Sequence, residues 1–151
     1  MTGPGLGTRL RHLIELLDGD VAIVEEELGL TGFRPRYAPF LRTLATLGPS
    51  TIRDLAKAVE VTHSAASQTI TQMDRQGLVS LSPGTDARQR IVDLTPRTRA
   101  LLPKLEQAWQ AAEAAGRELD AELPYPLSEV VIAATEALRR KPLRDRIRHN
   151  L

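Results

Sequence analysis

No cysteine occurs anywhere in the 151 residues. Disulfide staples, thiolate metal sites and thiol-based redox sensing are thereby excluded. Aromatic residues make up only 3%, so Leu, Ala, Val and Ile must fill any core. His12, His63 and His149 are scattered without metal-ligand spacing. A Gly-rich phosphate loop and a Ser elbow are both missing. The sequence therefore reads as that of a non-enzyme with neither metal nor cofactor. No stretch approaches the roughly 20 apolar residues of a membrane span, and the N-terminal region lacks a signal-peptide run. A cytoplasmic protein with no membrane partner is the expectation. The net charge is only +1, so any attraction to nucleic acid must come from local charge.

What is present is a chain that is 42% hydrophobic, enough to build a core. Residues 1–7 are Gly-rich and read as loose. From Thr8, the apolar positions Leu10, Leu13, Ile14, Leu17, Val21, Val24 and Leu28 recur at helical spacing. Gly19 predicts a bend or break in that helix. Tyr37, Phe40, Leu41, Leu44 and Leu47 mark a second helix that ends at Gly48-Pro49. Thr51 caps a short third helix carrying Ile52, Leu55, Ala56 and Val59. Thr62 caps a fourth, running from His63 to Gln76 and stopping at Gly77.

Beyond Gly77 the period changes. Leu78 to Ser82 and Ile91 to Leu94 read as two strands around a polar tip bearing Arg88 and Arg90. Only two strands are expected, and such a pair must lie against the helices before it. Thr95-Pro96 opens a long helix, with Thr95 as cap, and Pro103 is tolerated near its start. Pro124 and Pro126 break the chain before a last helix to about residue 141. Pro142 then stops it, and a basic tail follows with Arg144, Arg146 and Arg148.

Three helices followed by a hairpin describe a winged helix-turn-helix. The fold class expected is mainly α with a small β-hairpin wing, flanked by N- and C-terminal dimerisation helices. The division is 1–32 for the N-terminal dimerisation region, 33–99 for the DNA-binding lobe, and 100–151 for the C-terminal dimerisation helices and basic tail. The flanking helices carry more apolar face than the small lobe can cover, which points to homodimer packing.

On the fourth helix, Ser64, Ser67, Gln68, Thr71 and Arg75 share one stripe, with Ala66, Ile70 and Met73 nearly opposite. Small hydroxyls allow close approach to a major groove, and a glutamine amide can read adenine. On an isolated helix this face would be merely solvated. The short helix and tight Glu60-Val61-Thr62 turn before it supply helix-turn-helix geometry. The wing adds Arg88 and Arg90 for phosphate or minor groove, with Asp86 two residues before Arg88 to orient it by an ion pair. Phe33, Tyr37, Phe40 and Trp109 can line a ligand pocket, although aromatics at helical spacing more often form core.

The run Val61 to Ile70, then Gln76-Gly77-Leu78-Val79, Asp86-Ala87-Arg88 and Leu94-Thr95 resembles the bacterial multiple-antibiotic-resistance regulator (MarR) family. It does so firmly over about residues 37–99 and more loosely in the flanking helices. The resemblance implies a cytoplasmic homodimer that binds double-stranded DNA at a pseudo-palindromic operator, as a repressor or an activator, released by a small-molecule effector. It makes Ser64, Ser67, Gln68 and Thr71 groove contacts and Arg88 the wing arginine. Three departures stand out. Gln68 lies where many members have arginine, Thr98 replaces a frequent glycine, and the wing is slightly short. The alternative to be tested is a winged-helix protein-interaction module without DNA function.

Overall fold

The computed structural model describes residues 3–151. Met1 and Thr2 of the expected loose end lie outside the described residues. The chain divides into two compact units, one running through Trp109 and the other Gln110–Leu151.

The first unit opens with α1 (Leu6–Glu27), which begins two residues before Thr8. The helix continues through Gly19 without a break, contrary to the expectation. One glycine costs about 1 kcal/mol in a helix, which is too little to interrupt 22 residues. A single 3-10 turn (Pro35–Tyr37) leads into α2 (Ala38–Leu47). Next come β1 (Ser50–Thr51), α3 (Ile52–Val59), α4 (His63–Arg75), β2 (Val79–Pro83) and β3 (Arg90–Leu94). The third strand, β1, corrects the two-strand expectation: it pairs antiparallel with β3, and the sheet order is β1-β3-β2. The wing is thus held on two ladders, one to each side of β3.

The core of this unit is built from α2, α3, α4 and the sheet. Leu41, Leu44, Leu55, Ile70, Met73, Leu78 and Val92 are all essentially inaccessible. Leu105 and Trp109, from the first half of α5 (Pro96–Glu122), join the same cluster. Fully burying one such aliphatic side chain contributes roughly 1.5–3 kcal/mol, so these contacts fix the lobe on which any site must be mounted. The Arg42 guanidinium lies 5.0 Å from the Trp109 ring centroid.

Thr98, fully buried, shows why glycine is not needed there. Its hydroxyl pairs with Thr95 Oγ1 at 3.1 Å, and its N–H donates to the same oxygen at 3.3 Å. Pro103 lies within α5 without ending it.

In the second unit, α6 (Leu127–Arg140) is followed by α7 (Leu143–His149), where the sequence suggested only a tail. Pro142 follows the end of α6 as expected and is also the N-cap of α7, in keeping with the fixed φ that suits proline to helix starts. Asp120 secures the α5–α6 turn. It accepts from the Ser128 N–H at 3.1 Å and from the Ser128 hydroxyl. These bonds hold its carboxyl below the usual range, the hydroxyl bond contributing most.

Among the described residues, no helix is long and apolar enough to cross a membrane. Large apolar side chains are exposed along α1, including Leu10, Ile14, Leu17 and Val24, and on α6 and α7 at Val130, Val131, Leu143 and Ile147.

The one buried residue of α1 is an acid, Glu25, with 7% exposure. Desolvation pushes its carboxyl up to about 7 from an ordinary 4.5. Between those two values the folded chain holds a proton that the unfolded chain has released. Its contribution is complete below 4.5 and is lost as pH rises through 7. Folding stability should therefore fall on going from pH 5 to pH 8, by about 1–2 kcal/mol after allowance for water reaching the helix flank. Denaturant titrations at the two pH values measure this. Glu25→Gln should flatten the difference, and an unchanged pH response in that variant would assign the effect elsewhere.

Candidate nucleic-acid interface

The reading face is built from the turn upward. Thr51 closes β1 and also caps α3, its Oγ1 accepting from the Asp54 N–H at 3.0 Å. The helix α3 ends at Glu60, whose φ of 60° places a non-glycine residue in the left-handed region. That conformation, costing about 1 kcal/mol or more, reverses the chain within three residues. Val61 N–H returns to Ala56 O at 3.0 Å. Thr62 then caps α4, its Oγ1 accepting from the Ala65 N–H at 3.1 Å.

The two faces of α4 separate as the spacing predicts. Ala66, Ile70 and Met73 are buried, whereas Ser64, Gln68, Thr71 and Arg75 are exposed and Ser67 is half-buried. The Thr71 hydroxyl donates to Ser67 O at 2.8 Å. Its proton is thus used within the helix, and the oxygen faces outward as an acceptor. The helix closes on Gly77, at φ 72°, where a side chain would be strained. Leu78 N–H reaches back to Met73 O at 2.9 Å. Thr95 ties this end down by donating to Gly77 O at 2.8 Å.

The wing is in register from Val79↔Leu94 to Pro83↔Arg90. Its tip is closed by Gly84 N–H to Gln89 O and Gln89 N–H to Asp86 O, both at 2.9 Å. A Cβ at Gly84 would meet Gln89 Cβ at 2.9 Å, so glycine is required by the close approach. Arg88 and Arg90 are exposed at the tip and at the start of β3. Asp86 does act on Arg88, through the main chain: its Oδ1 accepts the Arg88 N–H at 3.1 Å. The expected link was an ion pair to the guanidinium. An Asx-type bond two residues on is the shorter reach for an aspartate in a tight turn.

Phe33, Tyr37, Phe40 and Trp109 are members of the hydrophobic core, with exposures of 0–9%. Tyr37 Oη is the one buried side-chain polar atom among the described residues with no hydrogen-bond partner.

Sequence reasoning passed over a contact on the flank of α4. Arg36, in the 3-10 turn, donates from Nη2 to Gln72 Oε1. The two residues are 36 positions apart, and no local pattern joins them.

Residues 31–89 match the protein-family model described as MarR family. Comparison with curated proteins gives no match. Among solved structures, the chain is similar to the M. tuberculosis transcriptional regulator MOSR in complex with DNA. The identity is 26% and the TM-score 0.64, with 90% of this chain and 99% of that chain covered. It is also similar to a mutant E. coli MarR complexed with operator DNA, at 20% identity and TM-score 0.61, covering 88% and 93%. A third similar fold is the heme sensor protein PefR from Streptococcus agalactiae in complex with heme, at 14% identity and TM-score 0.63, covering 95% and 98%.

Proposed function

Residues 31–89 of this chain belong to the MarR family, and from that premise we infer that the protein is a DNA-binding transcriptional regulator. The observation that carries the reading is the outer face of α4. Its hydroxyl and amide side chains stand exposed on a helix whose opposite face is locked into the core. Ser64 and Ser67 are small enough for close approach, and Gln68 presents the paired donor and acceptor that suit adenine. Arg88 and Arg90 at the wing supply charge for phosphate or minor groove.

The working unit is a homodimer on a pseudo-palindromic site, acting as a repressor. The exposed apolar rows of α1, α6 and α7 support this state, because such rows on a small chain mark an interaction surface. Two-fold symmetry then gives two recognition helices for two half-sites. A cytoplasmic setting follows from the role.

Binding to random genomic fragments at low and moderate salt tests the proposal. A regulator retains a subset of fragments as salt rises; a protein-interaction module releases all of them. On a retained fragment, Gln68→Ala should change sequence preference at a cost of about 1–3 kcal/mol. Arg88→Ala should weaken binding evenly across sequences and lower the salt slope by about 1. Parental behaviour of both variants would reject the contact surface.

A further inference from the structure

Two glutamines on α4, Gln68 and Gln72, lie one helical turn apart, and their surroundings differ. Gln68 is exposed, and no described hydrogen bond engages its amide. Gln72 is half-buried and is held by Arg36. A guanidinium has only donors, so the atom it holds must be the amide oxygen. With the oxygen held in place, the wholly unengaged atom of Gln72 is Nε2, which can only donate.

The grip is itself anchored. Pro35 fixes the start of the 3-10 turn, and Tyr37 beside Arg36 is fully buried. The Arg36 guanidinium lies 5.4 Å from the centroid of that buried ring, within the range of cation–π attraction. Arg36 thus has a stationary platform on one side and an oriented amide on the other.

We propose that Arg36 is a positioning residue that turns Gln72 into a fixed hydrogen-bond donor, aimed at an acceptor on the bound duplex. The acceptor is a base edge, guanine O6 or N7 or thymine O4, or else a phosphate oxygen. Gln68, unheld, keeps both halves of its amide for adenine. One residue type on one helix is thereby given two different readings, and the difference is set by a side chain outside the recognition helix. This inference rests on the DNA-binding reading above.

The test is selection of bound duplexes from a random library by four full-length chains: parent, Gln72→Ala, Arg36→Ala and the double variant. For a base-edge acceptor, Gln72→Ala relaxes preference at one or two positions per half-site and loses about 5–100-fold on the parental site. Arg36→Ala relaxes the same positions, because the released amide can flip and then also accepts from cytosine or adenine amino groups. The double variant is no weaker than the weaker single one. For a phosphate acceptor, both single variants lose affinity equally on all sequences, again without adding. Arg36→Lys keeps the charge but lacks the planar fork, so it should follow Arg36→Ala in preference while keeping the parental salt slope.

Additive losses, or an Arg36→Ala chain with parental affinity and preference, would overturn the proposal while leaving the DNA-binding reading intact. A parent chain that retains no duplex would overturn both. Arg36 is exposed, and an unchanged thermal midpoint in its variants separates positioning from general damage.

Discussion

A Ser64→Glu chain should lose about 100-fold or more in affinity for its operator while melting at or slightly above the parental temperature. Ser64 is the second residue of α4 and is exposed. A carboxylate in the first turn of a helix is favoured by the helix dipole, by about 0.3–1 kcal/mol. The same carboxylate faces a duplex carrying one negative charge per roughly 1.7 Å of axis. At about 6 Å and an effective dielectric near 20, one such repulsion costs nearly 3 kcal/mol, which is the expected 100-fold. It also competes with phosphate for the free amides of the helix start. Stability and binding therefore move in opposite directions, a combination that misfolding cannot produce. Anisotropy titrations on a selected fragment, paired with thermal melts at one protomer concentration, measure both. Ser64→Ala controls for the lost hydroxyl and should cost far less. A Ser64→Glu chain that binds as the parent does would place the duplex elsewhere on the molecule.

The second large effect lies on the other side of the same helix. Ile70 is 1% exposed in the core that α4 shares with α2, α3 and the sheet. Ile70→Ala should cost about 2–5 kcal/mol, through lost transfer energy and the cavity left behind. At roughly 2–4 °C per kcal/mol for a chain of this size, the midpoint should fall by about 10 °C. The fall must be compared at fixed protomer concentration, because the melting of the proposed homodimer would depend on concentration. Gln68→Ala, two residues away on the opposite face, should leave the stability within about 0.5 kcal/mol of parental. If Ile70→Ala cost less than about 1 kcal/mol, the division of α4 into an inner and an outer face would be wrong.

That division was legible in the sequence because it depends only on period and caps. Thr62, the Ala66-Ile70-Met73 row and Gly77 are local signals, and each acts as its chemistry suggests. The hairpin was legible for the same reason. What escaped depends on partners distant in sequence or on rules with two outcomes. Ser50–Thr51 has no strand signature of its own and becomes β1 only because Ile91 and Val92 lie beside it. Pro142 stops one helix and starts another, and the arginine-rich segment after it reads as a tail until α7 is seen. Gly19 carries a breaker's propensity that a long helix overrides. Arg36 and Gln72 carry no mutual signal at all, since arginine and glutamine are ordinary surface residues. Asp86 was rightly tied to Arg88, yet to its main-chain amide rather than its charge.

The central position of β3 bears on how this chain can vary. The inner strand of the finger, β3, is paired on both edges, and its neighbour β1 shares Thr51 with the start of α3. Lengthening or trimming the six residues Gly84 to Gln89 would alter chiefly how far Arg88 reaches around a duplex. Shifting Arg90–Leu94 by a single residue would turn Val92 and Leu94 out of the core. Reach is therefore open to adjustment in this molecule, whereas the angle from which the finger springs is not.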